Sequence, residues 1–438
     1  MSNPLPEGSP AEPSTVGRQF LNLNGRTTLL AAAALTAAIT VYYRLMWPTF
    51  QSFVNAIDFC HIPFCDFVVF YYEMGKEVFV TKMPAIGFSY SPFTAIVFGL
   101  FGMLPRQLST NLWALGIVLS MGVLAAMCLR VVIQREQRRL LLPFLVFFLT
   151  SFPLLHNLKW GQVGVLLTLL LVLALLTARN GRWILSSLCL ALATSLKYYP
   201  AVFLLPFLAD RNWRVAGGFV AWCLVLFVGI PSMVFGVSGA MGFLENVFHE
   251  SMYTQIAAAG PNSQYFVNVL SRWGNGLGFD AIALKPAFRT FSFLTVEAIG
   301  ALVVVLNIGR TKDSLSWSFV LLFLAVPFFV ATSWPHYLVF LPFCQLFILA
   351  QIDECTEWGA RVRLVLRGSV LLSAFLASVF VFQLAGSWRA YGSGGYLLVA
   401  VVLLLKTSFV LLTPRVRSLW KKFVSFVAPV PTTGETAQ

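Results

Sequence analysis

Apolar residues in this chain come in long blocks separated by short polar or basic connectors. Strict apolar–polar alternation, the signature of barrel strands, is not the dominant pattern. Twelve blocks read as membrane-crossing helices: residues 28–47, 109–129, 140–156, 162–178, 183–196, 198–209, 214–237, 288–309, 316–332, 336–351, 366–386 and 394–413. Several are shorter than the roughly 20 residues that cross a bilayer. The short pair 183–196 and 198–209 is accepted because Arg179 and Arg182 precede it and Arg211 and Arg214 follow it. The chain must leave and return, so the turn Lys197-Tyr198-Tyr199-Pro200 lies on the far side. The run 92–104 is too short to cross and suits an interfacial or re-entrant helix.

Charge then sets the orientation. Arg130, Arg135, Arg138, Arg139, Arg361, Arg363, Arg367, Arg415, Arg417, Lys421 and Lys422 all fall on one side under this assignment. That side is cytosolic by the positive-inside rule, and both termini lie there. Residues 1–26 are a polar cytosolic tail without the apolar region of a signal peptide. Residues 27–413 form the membrane domain, and 414–438 a second cytosolic tail. Two long segments, about 48–108 and 236–287, face outwards. Long loops in a compact protein are usually functional.

Composition agrees with this reading. Of 438 residues 58% are hydrophobic and 11% charged, with a mean hydropathy of +0.80. A soluble domain is nearer 25% charged. The expected class is an all-α polytopic membrane protein with about twelve crossings. The net charge of +13 follows from the membrane-flanking Lys and Arg, so no nucleic acid partner is implied. Seven cysteines are too few for a disulfide framework. Cys128, Cys189, Cys223 and Cys344 sit in apolar blocks as packing residues.

The polar residues of interest cluster outside. Asp66 stands at the N-terminal end of a helix-compatible stretch carrying Tyr71, Tyr72, Glu73 and Gly75. The helix dipole favours its carboxylate form there. Asp66 suits two roles, a helix N-cap or a general base towards a hydroxyl. Asp58, Cys60, His61, Cys65 and Asp66 superficially resemble a metal cluster. A second half of the ligand pattern is missing, so no metal is expected. Two free thiols are preferred over a Cys60–Cys65 disulfide. No Walker loop, dinucleotide fingerprint or nucleophile elbow occurs.

Asp66-Phe67-x-x-x-Tyr71-Tyr72-x-x-Gly75, followed by Phe88-Ser89-Tyr90-Ser91-Pro92, resembles the opening of the glycosyltransferases of family 87. These polyprenol-phosphate-mannose-dependent mannosyltransferases belong to the GT-C superfamily. Similar motifs follow in order at Asn157-Leu158-Lys159-Trp160-Gly161-Gln162, Ser195-Leu196-Lys197-Tyr198-Tyr199-Pro200, Pro261-Asn262-Ser263-Gln264-Tyr265 and Ser333-Trp334-Pro335-His336-Tyr337. The chain departs from the family at Lys76–Lys82, where a Gly-x-x-x-Tyr pattern is usual. It also has Asn262-Ser263-Gln264 for Asn-Gln-Ser, and Tyr337 in place of a second histidine. These departures leave the acceptor open.

The resemblance implies a GT-C fold with interfacial helices in the first outer loop, and an inverting transfer of a sugar, mannose by this likeness, from a polyprenyl phosphate. The acceptor would be a hydroxyl of a lipid-linked or other glycan, on the extracytoplasmic face of a bacterial plasma membrane. It implies Asp66 as base and no cofactor. Lys197, His336 and Arg272 are the candidate donors to the leaving phosphate. Tyr71, Tyr72, Tyr90, Asn157, Gln162, Asn262, Gln264 and Trp334 are candidates for sugar or acceptor. Each has a plainer alternative. Lys197 can snorkel to headgroups. Asn262 and Gln264 can cap a loop, and Trp160, Trp273 and Trp334 can form an interfacial belt. A transporter or flippase is the competing class, argued from Glu297 near the middle of an apolar block.

Overall fold

The structure is a computed structural model and describes residues 30, 32–42, 44–45, 62–84, 88, 90–134, 140–257, 260, 262–309 and 313–427. The expectations for Asp58, Cys60 and His61, and for the 1–26 tail, lie outside these residues. Helix α1 (Ala32–Tyr42) is followed by a π-helical turn (Phe67–Tyr71) running into α2 (Tyr72–Thr81), then α3 (Pro92–Gly102) and α4 (Arg106–Gln134). Next come α5 (Leu141–Leu149), α6 (Phe152–Trp160), α7 (Gly164–Arg179) and α8 (Trp183–Leu196). A 3-10 turn (Tyr199–Leu204) leads to α9 (Leu205–Ala209), α10 (Trp213–Leu224) and α11 (Ile230–Ala257). The chain closes with α12 (Phe266–Gly276), α13 (Ala281–Ile308), α14 (Ser314–Phe329), a 3-10 turn (Pro335–Leu338), α15 (Leu341–Glu354), α16 (Ala360–Leu376), α17 (Val379–Ala385), α18 (Trp388–Ser393) and α19 (Tyr396–Val427).

Hydrophobicity on every face predicts burial on every face, and α14 follows that rule. All of its residues from Ser316 to Phe328 are buried. The apolar stretch Pro335–Glu354 is 89% buried, whereas Trp213–Asn246 is 17% buried. The first is therefore the centre of the bundle and the second its rim, where apolar side chains are left for lipid to cover.

Five described helical stretches are long and apolar enough to cross a membrane: Arg106–Cys128, Trp213–Asn246, Ala281–Ile308, Pro335–Glu354 and Arg389–Ser418. A sixth arises if α6 and α7, bent by 119°, count as one broken span. The expectation of twelve crossings is not reproduced by length. Several apolar blocks form shorter helices, including Ala32–Tyr42, Trp183–Leu196, Tyr199–Ala209 and Ser314–Phe329. Proline explains one case. Pro200 and Pro206 interrupt the 198–209 block, which folds as a 3-10 turn and the five-residue α9. The run at 92–104 forms the 11-residue α3. Ser91 caps it by accepting from the Thr94 N–H, and Pro92 fills the first helical position.

The π-turn and α2 lie against α3, forming a platform under the site. Gly75 makes this approach possible, because a Cβ there would overlap the Phe98 carbonyl. Gly75→Val is expected to push α2 from α3 and cost about 1–3 kcal/mol. The check is the melting temperature of the purified protein, which should fall; a wild-type melt would show that the contact is not tight.

Candidate active site

Asp66 sits in the first turn of its helix with φ −66° and ψ −34°, and its side chain makes no capping hydrogen bond. Of its two candidate roles, the N-cap is therefore not realised. The side chain is 6% exposed. Its Oδ2 accepts a hydrogen bond from Gln162 Nε2. Burial pushes the carboxyl up from the ordinary aspartate range to about 6. The Gln162 hydrogen bond and the positive charges of Lys197 and Lys159 pull the other way. The result is a carboxylate at neutral pH that is more basic than a solvated one.

The break between α6 and α7 brings Gln162 to this carboxylate. Gly161 ends α6 at φ +65°, a conformation that favours glycine. A Cβ at Gly161 would also lie 2.9 Å from Phe67 Cβ and 3.1 Å from Phe64 Cβ, so the base-bearing segment packs directly on the bend. Lys159 fastens the same segment from beside it. Its Nζ donates to the Ile62 carbonyl at 2.8 Å, and its carbonyl accepts from the Phe64 N–H at 2.7 Å. Trp113 Nε1 donates to the Gly161 carbonyl at 2.7 Å, and the Trp113 ring stacks on Phe67 at 4.7 Å. Lys159 was not among the sequence candidates. The motif Asn157–Gln162 held it, but nothing in the local pattern told it apart from its neighbours.

Tyr71 and Tyr90 extend the network. Tyr71 donates to Gln162 Oε1 at 2.9 Å and its hydroxyl also pairs with that of Tyr90. The Tyr71 ring stacks on Phe98 at 4.4 Å with 5° between planes. Lys197 follows the end of α8 in an extended conformation. Its Nζ donates to Tyr90 Oη at 3.1 Å and lies 4.5 Å from the Tyr90 ring centre and 5.2 Å from that of Tyr337. Thr94 Oγ1 donates to the Ser195 carbonyl at 2.7 Å, which ties α3 to the turn bearing Lys197.

These groups surround a cavity of about 180 Å³. Asp66, Phe70, Tyr71 and Met74 line it from the first outer segment, with Tyr90, Gln162 and Lys197 beside them. Thr332, Trp334, His336 and Tyr337 close the other side. His336 is buried, stacks on His156 at 5.4 Å, and its Nδ1 has no hydrogen-bond partner among the described residues. Seven of the sequence candidates thus meet in one space: Asp66, Tyr71, Tyr90, Gln162, Lys197, Trp334 and His336.

The other candidates do not line this cavity. Tyr72 turns away and donates to the Leu104 carbonyl at 3.0 Å. Asn157 shapes the bend, its Oδ1 accepting from the Val165 N–H at 3.3 Å. Gln264 is fully buried, with its N–H on the Ser333 carbonyl and its Nε2 on that of Gly392. Arg272 donates to the carbonyls of Gly260, Ser263 and Gly392, which fasten the α12 loop to α18. Asn262 Oδ1 is buried without a hydrogen-bond partner among the described residues. Trp273 Nε1 is bonded to the Ser393 carbonyl at 3.1 Å.

Two further expectations change. Cys65 is disulfide-bonded, and its partner lies outside the described residues, so the preference for free thiols does not hold there. Glu297 is on the exposed face of α13. A buried intramembrane acid was the main argument for a transporter, and Glu297 is not one.

Residues 88–333 match the family model described as Glycosyltransferase family 87. The matched region contains Tyr90, Gln162, Lys197, Asn262, Gln264 and Arg272, and ends short of Trp334 and His336; Asp66 precedes it. A curated protein of Mycolicibacterium smegmatis (strain ATCC 700084 / mc(2)155) is 28% identical over 243 residues. It is named polyprenol-phosphate-mannose-dependent alpha-(1-2)-phosphatidylinositol pentamannoside mannosyltransferase. The match covers 52% of this chain and 56% of that protein, so the chain spans little more than half the length of this relative. No solved structure matches the chain.

Proposed function

The chain belongs to glycosyltransferase family 87, and on that premise we propose that it transfers mannose from a polyprenyl phosphate to a hydroxyl of a lipid-linked or other glycan acceptor at the outer side of a membrane. The observation that carries this reading is the Asp66 carboxylate, uncapped and buried, in the same cavity as the Lys197 ammonium and His336. A base and a cation in one small space are what a displacement at a glycosyl phosphate requires.

The acceptor oxygen attacks the anomeric carbon from the face opposite the phosphate. The bond between that carbon and the phosphate oxygen breaks, and the configuration inverts. The acceptor proton passes to Asp66. The leaving polyprenyl phosphate gains negative charge, which the Lys197 ammonium stabilises and His336 is placed to support. The cavity volume of about 180 Å³ is below the roughly 300–1,000 Å³ of pockets for larger ligands, so it suits one sugar ring at a time. Trp334 and Phe70 offer apolar faces to that ring.

The test uses purified full-length protein in lipid nanodiscs, radiolabelled polyprenyl-phosphate-mannose and a bacterial glycolipid extract as acceptor. Label is expected to move to the glycolipid with release of polyprenyl phosphate. Transfer from GDP-mannose in the absence of any lipid-linked sugar would overturn the donor assignment. Absence of transfer from either would overturn the activity.

A further inference from the structure

The polar groups behind Asp66 form a single file: Lys197, Tyr90, Tyr71, Gln162, Asp66. Its two ends differ in kind. An ammonium can only donate hydrogen bonds, and a carboxylate can only accept them. That difference fixes every link between. Lys197 Nζ donates to Tyr90 Oη at 3.1 Å. The Tyr71 hydrogen is directed to Gln162 Oε1 at 2.9 Å, so the shared contact between the phenols must use the Tyr90 hydrogen. Gln162 is left with its NH2 towards Asp66. Burial, followed by the effect of neighbouring groups, raises the Tyr71 phenol; burial also raises Tyr90, against the pull of Lys197. Both therefore remain protonated donors.

A glutamine amide is nearly symmetrical in shape, and its two ends are told apart by their partners. Flipped, Gln162 would set its carbonyl oxygen against the Asp66 carboxylate, two acceptors in a buried space. We propose that Tyr71 is a positioning residue for the base: by donating to Gln162 Oε1 it locks the amide with its NH2 on Asp66, and through Tyr90 it links that lock to Lys197. This inference rests on the reading of Asp66 as the base.

The lock also selects the charged form of Asp66. A protonated carboxyl would point a donor at the donor end of Gln162, so the file works against the desolvation that favours protonation. The titratable groups around Asp66 are Tyr71 on its own helix, Lys159 of α6, Tyr90 before α3, Lys197 after α8, and His336 and Tyr337 of the turn before α15. Tyr71→Phe deletes one hydroxyl and keeps the ring that stacks on Phe98.

The experiment is an infrared pH titration of the protonated carboxyl stretch, on full-length protein in nanodiscs with no donor or acceptor. The Asp66 band is identified by its loss in Asp66→Asn. Wild type is expected to titrate near 6. In Tyr71→Phe the midpoint should rise by about one pH unit, as expected when a hydrogen-bond anchor of a buried carboxylate is lost. Tyr90→Phe breaks the file one link earlier and should shift it the same way, by less. It takes over as the test if Tyr71→Phe fails to fold. A midpoint unmoved in the folded variant overturns the inference, since a purely structural tyrosine would leave the titration alone. Sugar transfer is scored separately. Its absence in wild type removes the catalytic reading, while an unmoved midpoint with transfer intact removes only the lock.

Discussion

Asp66→Asn is expected to lower the rate of mannosyl transfer by about 10²–10⁴-fold, the usual contribution of a positioned general base. Asparagine keeps the size of the side chain and can still accept from Gln162 Nε2, so the helix and its contacts should survive. What is lost is the basic oxygen. The pH profile supplies an independent check. The Asp66 carboxyl is raised by burial to about 6, against the Gln162 hydrogen bond and the charges of Lys197 and Lys159. Only the ionised form takes a proton, so activity should climb as pH rises through about 6 and fall tenfold per unit below it. A variant that retains wild-type turnover, with the same acid limb, would remove Asp66 from the reaction.

Lys197→Met should have the next largest effect. Methionine fills much of the space between the Tyr90 and Tyr337 rings but carries no charge. Loss of a charge partner to a developing oxyanion typically costs about 10²–10³-fold in kcat. A second consequence distinguishes this site from a headgroup anchor. Lys197 helps to hold Asp66 ionised, so its removal should move the acid limb to higher pH. A lysine that only reaches lipid headgroups would change neither kcat nor the limb. Measurement of kcat against pH in nanodiscs decides between the two.

The outer turns were legible because they are short, polar and aromatic islands in an apolar chain. Charge on the opposite side located them without a structure. The cavity then draws on four of the five motif regions, those containing Asp66 to Tyr90, Gln162, Lys197 and Trp334 to Tyr337. What pattern reasoning could not supply was contact across distance in sequence. Gln162 meets Asp66 over 96 positions, and Lys159 meets Ile62 over 97. The fifth motif failed for a different reason. Gln264 and Arg272 are the residue types that bind sugars and phosphates, but most of their donors are used on backbone carbonyls. Residue type states what a side chain can bind; only the neighbouring backbone shows what it does bind. Span counting fell short because Gly161 and the Pro200 and Pro206 pair break blocks that hydropathy reads as continuous.

Cys65 is covalently linked one residue before Asp66. The base is thereby exposed to thiol reductants in a way that a buried carboxylate ordinarily is not. Treatment with dithiothreitol would release one fastening and leave the other, the pair of hydrogen bonds between Lys159 and the Ile62–Phe64 strip. The turnover that survives such treatment measures how far the non-covalent clasp alone can keep the carboxylate in register.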